Sequence, residues 1–388
     1  MFRKTIFWVH LSVGVLGAVV ILMMSLTGVI LTYEAQFNRW ALRDYRAAPG
    51  AHSPLRVDEL LTRAAAGDPE FAPSAVVLRS DPREPAALSL GRGSYLYVDR
   101  YTGEILGDGN GRMKRFLRSV MYWHRWFALT GENRAVGRSV TGAANLGFLF
   151  LVLSGFYLWW PRRLSWDALK RVMWFRRGLE GKARDFNWHN VIGFWSAIPL
   201  FIVVLTGATI SYRWAGNLLY TVVGESPPTA NRSRTEPKAT DVGAESADVE
   251  AVELVAYDEL IRRAAREIPD WKILTLRLPD SDHEPVTISV DVGSGRQPSK
   301  RTDYLLDRAN CEVLQVGGYA AYTRGRKLRS WARFAHTGEV YGVIGQTIAG
   351  IVSAGGAFLV WTGLALAWRR LIPWPRKPGA LPRMAGPA

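Results

Sequence analysis

Four apolar runs dictate most of what this chain can fold into. They are LSVGVLGAVVILMMSLTGVILTY (Leu11 to Tyr33), VTGAANLGFLFLVLSGFYLWW (Val140 to Trp160), VIGFWSAIPLFIVVLTGATISY (Val191 to Tyr212) and YGVIGQTIAGIVSAGGAFLVWTGLALAW (Tyr341 to Trp368). None holds a Lys, Arg, Asp or Glu, and each has the ~20 residues that a helix needs to cross about 30 Å of hydrocarbon. In that medium each segment must satisfy its own backbone polar groups, so the runs are expected to be helices. Four of them make the chain a membrane α-helical protein with soluble parts attached. The first run follows Met1-Phe2-Arg3-Lys4, but it is longer than a signal-peptide core and has no small-residue cleavage pattern before Tyr33, so it is read as a retained span.

Between the runs lie two polar stretches, and they share a plan. The first has an amphipathic helix pattern, VDELLTRAA (Val57 to Ala65), then strand-like SAVVLRS and AALSLG, then SYLYVDRYTGEILG with a turn at Asp99, Thr102 and Gly103. The second has YDELIRRAA (Tyr257 to Ala265), KILTLRL, PVTISVDV and YLLDRANCEVL (Tyr304 to Leu314). Order and short words both recur, the mark of an internal duplication. The spans repeat too. WVHLSVG leads to LTGVILTY and NWHNVIG leads to LTGATISY, with eighteen residues from His10 to Gly28 and eighteen from His189 to Gly207. LSGFYLWWPRR and WTGLALAWRR match more loosely, with His124 and His336 upstream.

The expected fold is therefore four transmembrane helices in two duplicated halves, each half carrying an α+β insert. Its expected divisions are a first span at 1–38, an insert at 39–114, an interfacial helix and loop at 115–137, a second span at 138–161 and a basic loop at 162–188. A third span at 189–214, a second insert at 215–330 with a flexible stretch at 229–250, a fourth span at 331–368 and a tail at 369–388 complete it. Parallel repeats of this kind relate the halves by an axis along the membrane normal, which puts equivalent residues at equal depth.

The formal charge of +15 does not point to nucleic acid, because the basic residues flank the spans. The loop PRRLSWDALKRVMWFRRGLEGKARDFNW carries eight Lys or Arg against three acids, and it shares a side with Arg3-Lys4 and with WRRLIPWPRKPG. The positive-inside rule makes that side, with both termini, cytoplasmic. Arg134, Arg138, Arg326, Lys327, Arg329 and Arg333 fall on the opposite side and run against the rule. The single cysteine, Cys311, excludes disulfides within the chain, cysteine zinc sites and iron-sulphur clusters.

The chain has six histidines, and four stand at span ends in two duplicated pairs: His10 with His189 on the basic side, His124 with His336 on the other. One membrane-edge His is readily a snorkelling or capping residue. Two facing pairs of neutral imidazoles are what bis-His ligation of b-type haem needs, with the second ring nitrogen held by a hydrogen bond. There is no CxxCH, so such haem would be non-covalent. Gly14 and Gly193, each four residues after its histidine, either clear space for a porphyrin plane or allow close helix packing. Arg3 or Lys4 and Arg184 on one side, and Arg125 and Arg333 on the other, are available for propionates or as headgroup anchors. His52 and His283 sit in turn-like sequence and are left out of the site.

With WVHLSVG, SYLYVDRYTGEILG, YWHRWF, DFNWHNVIGFW, LTG and HTGEVYG, the sequence resembles the PepSY-associated transmembrane-helix family of iron-regulated inner-membrane proteins, and is similar to its ferric-siderophore (ferrioxamine-type) reductases. The resemblance implies a bacterial inner-membrane location, periplasmic PepSY-like inserts, and two b-haems as metal sites on His10, His189, His124 and His336. It also implies electron transfer to a periplasmic ferric siderophore, reducing it to Fe(II). No flavodoxin-like domain, GxGxxG fingerprint or Walker sequence is present, so a quinol or a separate cytoplasmic flavoprotein is the expected donor. Two other classes compete: a non-enzymatic scaffold whose PepSY-like domains bind a protein or peptide, and a siderophore transporter, although no charged residue lies at mid-span to carry a coupling ion.

Overall fold

The structure is a computed structural model that describes residues 1–47, 49, 53–66, 71–91, 93–109, 111–161, 165–228, 254–281 and 284–372. The stretch expected to be flexible at 229–250, His52, His283 and the tail from 373 lie outside the described residues.

Chain order runs α1 (Phe2–Thr32), α2 (Glu34–Ala41), α3 (Val57–Ala65), β1 (Ala75–Arg79), β2 (Ala86–Ser89), β3 (Tyr95–Val98), β4 (Ile105–Gly107), α4 (Arg112–Trp126), α5 (Arg134–Trp159) and α6 (Trp166–Met173). It continues with α7 (Gly181–Ser211), α8 (Arg213–Val222), α9 (Tyr257–Glu267), β5 (Ile273–Arg277), β6 (Val286–Asp291), β7 (Arg301–Leu306), β8 (Val313–Gly318), α10 (Arg324–His336) and α11 (Gly342–Leu371). By length and composition, four helical segments among the described residues can cross a membrane: Phe2–Thr32, Gly131–Trp159, Gly181–Ser211 and Glu339–Leu371. In the bundle, α1 packs against α5 and α11, and α7 packs against the same two. Thus α1 and α7 occupy opposite corners.

Helix boundaries differ from the expected divisions for a common reason: the apolar run marks contact with hydrocarbon, whereas the hydrogen-bond ladder continues into polar sequence. The third helix starts at Gly181, not 189, and the expected basic loop 162–188 contains α6 as well as the first turns of α7. Both His10 and His189 consequently lie eight residues inside their helices, not at the mouth. Asp185, on the polar extension of α7, is buried between Arg184 (3.0 Å) and Arg369 of α11 (2.7 Å), which ties the two helices together. The expected fourth span, 331–368, is two helices. Gly338 (φ +75°) and Gly342 (φ +62°) take left-handed conformations that break the chain between α10 and α11, and a Cβ on Gly338 would collide with the Gly345 carbonyl.

The inserts do not fold apart. Their eight strands form one antiparallel sheet in the order β4-β3-β2-β1-β5-β6-β7-β8, joined by β1 and β5 with Val77 opposite Thr275. Helices α3 and α9 pack on the sheet through the apolar stripe of each, Val57, Leu60 and Ala64 on one and Tyr257, Leu260 and Ala264 on the other. The strands answer with Val76, Leu88, Val98, Leu274, Leu276, Val286, Ile288 and Leu306, all buried. Asp258 of α9 accepts the Val57 amide at the start of α3 (2.8 Å), so the second insert helps to cap the first insert's helix. The sheet is fastened to the bundle by Arg296, which pairs with Glu34 (3.1 Å) and with Glu339 (3.3 Å) at the sheet-side ends of α1 and α11.

Candidate functional site

At the bundle end remote from the sheet, α1, α5, α7 and α11 enclose a cavity of about 610 Å³. Both His10 and His189 line it, with Gly14, Gly193, Gly155 and Gly363, and with Arg3, Lys4, Lys182 and Arg370 among its polar residues. The volume lies within the range of cofactor pockets, roughly 300–1,000 Å³.

The neighbours of each ring decide its protonation pattern. Nδ1 of His10 lies 2.8 Å from Ser154 Oγ on α5, and Nδ1 of His189 lies 2.9 Å from Thr362 Oγ1 on α11. Each hydroxyl has one proton, and it is already directed to the carbonyl four residues back: Ser154 donates to Phe150 O (2.6 Å), Thr362 to Phe358 O (2.8 Å). The oxygen can therefore only accept, Nδ1 must carry the ring hydrogen, and the Nε2 lone pair is left free.

The second pair repeats the device at the sheet-side end. His124 on α4 and His336 on α10 face each other with ring centres 6.2 Å apart. The rings are tilted by 55° to one another, and an ion held by both would need about 2 Å for each metal–nitrogen bond plus the radius of each ring, a sum close to that gap. Nδ1 of His124 lies 2.9 Å from Thr27 Oγ1, whose proton goes to Met23 O (2.7 Å). His336 donates from Nδ1 directly to the Val203 carbonyl (2.8 Å). Burial, then the neighbouring His336, lower the His124 pKa to about 4, so the ring is neutral at physiological pH. Among the described residues, no hydrogen bond reaches Nε2 of any of the four rings.

Glycine gives each ring its seat. A Cβ on Gly155 would lie 3.4 Å from Cε1 of His10, on Gly363 3.5 Å from His189, on Gly28 3.6 Å from His124 and on Gly207 3.0 Å from His336. Of these only the Gly207 distance is clearly tighter than ordinary contact, and at Gly14 and Gly193 no ring is met. A Cβ there would meet only Leu151 at 3.8 Å and Leu359 at 3.6 Å, ordinary contact distances, so helix packing does not demand their smallness. What they border is the cavity.

The PepSY-associated TM region family matches residues 7–370. The chain belongs to that family. No curated protein matches it. In this PepSY-associated TM protein the match spans all four membrane helices and both inserts, so the chain is a membrane protein across its described length.

The residues expected for the site divide cleanly within this family member. His10, His189, Gly14 and Gly193 gather at one cavity, and His124 and His336 face one another. Arg125 follows His124 and extends over the Trp126 ring (4.9 Å), while Arg333 lies one turn before His336. Arg3 and Lys4 line the cavity, but Arg184 does not; it pairs with Asp185 and covers Trp188. The Asn187 side chain, two residues before His189, holds the loop before α7 through Trp174 O and Arg176 N. Sequence reasoning missed Ser154, Thr362, Thr27 and the Val203 carbonyl, and also Lys182 and Arg370. A signal for the first three was present: Ser-Gly or Thr-Gly occurs in every span, and Gly28, Gly155, Gly207 and Gly363 of those words each pack against a histidine, while Gly142 of Thr141-Gly142 packs against Tyr212. Among the described residues no three or more His, Cys, Asp or Glu side chains gather, so a closed zinc or carboxylate metal site is not available there.

Proposed function

We propose that this chain holds two b-type haems and carries electrons from the cytoplasmic side of a bacterial inner membrane to a periplasmic ferric siderophore, reducing it to Fe(II). One observation carries the proposal: four imidazoles, each fixed as the Nδ1–H tautomer with Nε2 bare, stand in two pairs at opposite ends of one bundle. His10 and His189 would hold one haem, Gly14 and Gly193 would leave room for its plane, and Arg3, Lys4, Lys182 and Arg370 would meet its propionates. His124 and His336 would hold the other, with Arg125 and Arg333 beside it. Held by these imidazoles, such a group would supply one-electron transfer chemistry.

The protein's own part is to fix the rings and exclude water. Eighteen residues of α1 separate His10 from the glycine that seats His124, about 27 Å of helical rise, close to a membrane's apolar thickness. Leu200, Val204 and Val352, with Phe148 and Leu359 against them, fill part of the interval with a dry core. Two duplicated halves account for the equal placement of His10 and His189 in their helices and for a strand order that reads outward alike from β1 and β5. The basic loop and the far ends of α1 and α11 favour a cytoplasmic placement, which puts the sheet in the periplasm. The electron donor is a quinol or a separate flavoprotein.

The test is a reduced-minus-oxidised spectrum and a haem count on the purified protein, followed by anaerobic addition of ferric siderophore with a chromophoric Fe(II) trap. Two low-spin haems per chain, reoxidation by the chelate and trapped Fe(II) are expected, and His189→Ala should leave one haem. A preparation that takes up no haem would instead fit a protein-binding scaffold, and haem without reoxidation would end the reductase assignment.

A further inference from the structure

We infer that the cationic collar around His124 and His336 is a binding site for an anionic iron chelate, of polycarboxylate or catecholate type; this names the substrate class of the reaction proposed above and depends on that proposal for its purpose. The helices that carry these histidines, α4 and α10, each hold five Lys or Arg and no Asp or Glu. The start of α5 adds Arg134 and Arg138. These are the charges that run against the positive-inside rule, so something other than membrane topology must account for them.

Four of them, Arg125, Arg134, Arg138 and Arg333, lie on the helix ends next to the histidine pair. The guanidinium of Arg134 lies 3.7 Å and that of Arg125 4.9 Å from the ring centre of Trp126, which is itself buried, so one indole holds two like charges close together. Arg138 lies one turn further along α5, and Arg333 one turn before His336. None of the four has an acidic partner among the described residues, whereas Arg63, Arg79, Arg296 and Arg369 all do.

Charge counting then selects the ligand. The two propionates of one haem can neutralise two of the four guanidiniums, which leaves two positive charges beside the exposed edge of the site. A chelate with surplus carboxylate or catecholate charge completes that balance and is drawn in from a distance. A ferric trihydroxamate with a free amine, the ferrioxamine type, is cationic and is repelled. The phosphate of an anionic lipid offers the same charge as the chelate, so the experiment must separate the two.

Gallium(III) chelates bind as ferric ones do and accept no electron, so they measure recognition alone. Full-length protein in phosphatidylcholine nanodiscs should bind gallium–citrate, more weakly as NaCl rises, and should bind an amine-bearing gallium trihydroxamate at least severalfold less tightly. Arg138→Glu should weaken citrate binding severalfold, and Arg138→Lys, which keeps the charge, should restore it. Haem content and melting temperature of the same preparations show that each variant is folded and loaded. Equal affinity for the two chelates, or citrate binding indifferent to Arg138→Glu, would overturn the inference. So would loss of citrate binding when phosphatidylglycerol replaces phosphatidylcholine, which would assign the collar to lipid. Failure of electron transfer to a ferric chelate would leave these binding results standing and overturn only the reductase proposal.

Discussion

The Oγ of Ser154 stands between Nδ1 of His10, at 2.8 Å, and the carbonyl of Phe150, at 2.6 Å, accepting from the first and donating to the second. Because the hydroxyl has no second proton to give, the ring is held with Nε2 toward the cavity. Ser154→Ala removes the acceptor and leaves a buried N–H unpaired, at a cost of about 1–3 kcal/mol. Loss of such a partner typically lowers metal-group affinity by about 10–100-fold. Haem titration of the variant should show one weakened site with a shifted midpoint potential, and Ser154→Thr should restore both. Unaltered affinity and potential in the Ala variant would show that the hydroxyl does not set the tautomer.

The same logic separates two threonines that look equivalent in the sequence. Thr27 and Thr206 occupy matching LTG words, yet only Thr27 contacts a ring. Thr206 donates to Ile202 O (2.6 Å) and Val203 O (3.0 Å) of its own helix, while His336 takes the Val203 carbonyl directly. Thr27→Val should therefore weaken the His124/His336 site by roughly tenfold, and Thr206→Val should leave it within about twofold. Equal losses in the two variants, measured by haem titration, would contradict the hydrogen-bond assignment.

Gly14 and Gly207 make a second contrast. At Gly207 an added methyl would lie 3.0 Å from both His336 Cε1 and Asn145 Oδ1, so Gly207→Ala must move the ring or the amide and should lower the melting temperature. At Gly14 the nearest protein atom would be 3.8 Å away. Alanine is better than glycine inside a helix by about 1 kcal/mol, so Gly14→Ala should leave the apoprotein at least as stable. It should nevertheless reduce haem occupancy at the His10/His189 site, because the methyl enters the cavity. Full occupancy in Gly14→Ala, with unchanged spectrum, would return this glycine to ordinary helix packing.

How much of this was legible in the sequence depended on the range of the interaction. The spans, helices α3 and α9 and the strands were read from local periodicity, which depends on which face of an element is apolar. Val57–Ala65 was placed to the residue, since its stripe of Val57, Leu60 and Ala64 leaves no other register. The four histidines stood out because the short words around them recur in the sequence. Their partners were not, although Ser154, Thr362 and Thr27 lie in words that had been noticed, because a Ser or Thr in a membrane helix most often bonds only its own backbone. Val203 contributes a main-chain carbonyl, which no side-chain pattern can mark. The fusion of two inserts into one sheet rests on β1 meeting β5, some two hundred residues later, and periodicity carries no information about such a pairing.

That single sheet must be held in place over the bundle, and Arg296 makes its ion pairs to the ends of the bundle helices. Its guanidinium joins Glu34 and Glu339, with Gln297 donating beside it to Val340 O (3.3 Å). The Glu339 side chain is only 7% exposed, so Arg296→Ala leaves a buried carboxylate without its cation. Breaking a fully buried pair costs about 3–5 kcal/mol, but Arg296 itself is 35% exposed, and solvent screening reduces the expected loss to about 1–2 kcal/mol. The Arg296→Ala variant should melt lower and show faster amide exchange around residues 293–300, while haem content stays at the wild-type level. Adding Glu339→Gln removes the stranded charge and should recover much of the stability. If the double variant is no more stable than Arg296→Ala, the loss comes from the guanidinium's packing and its bond to Glu34, and the buried charge is not what fastens the sheet.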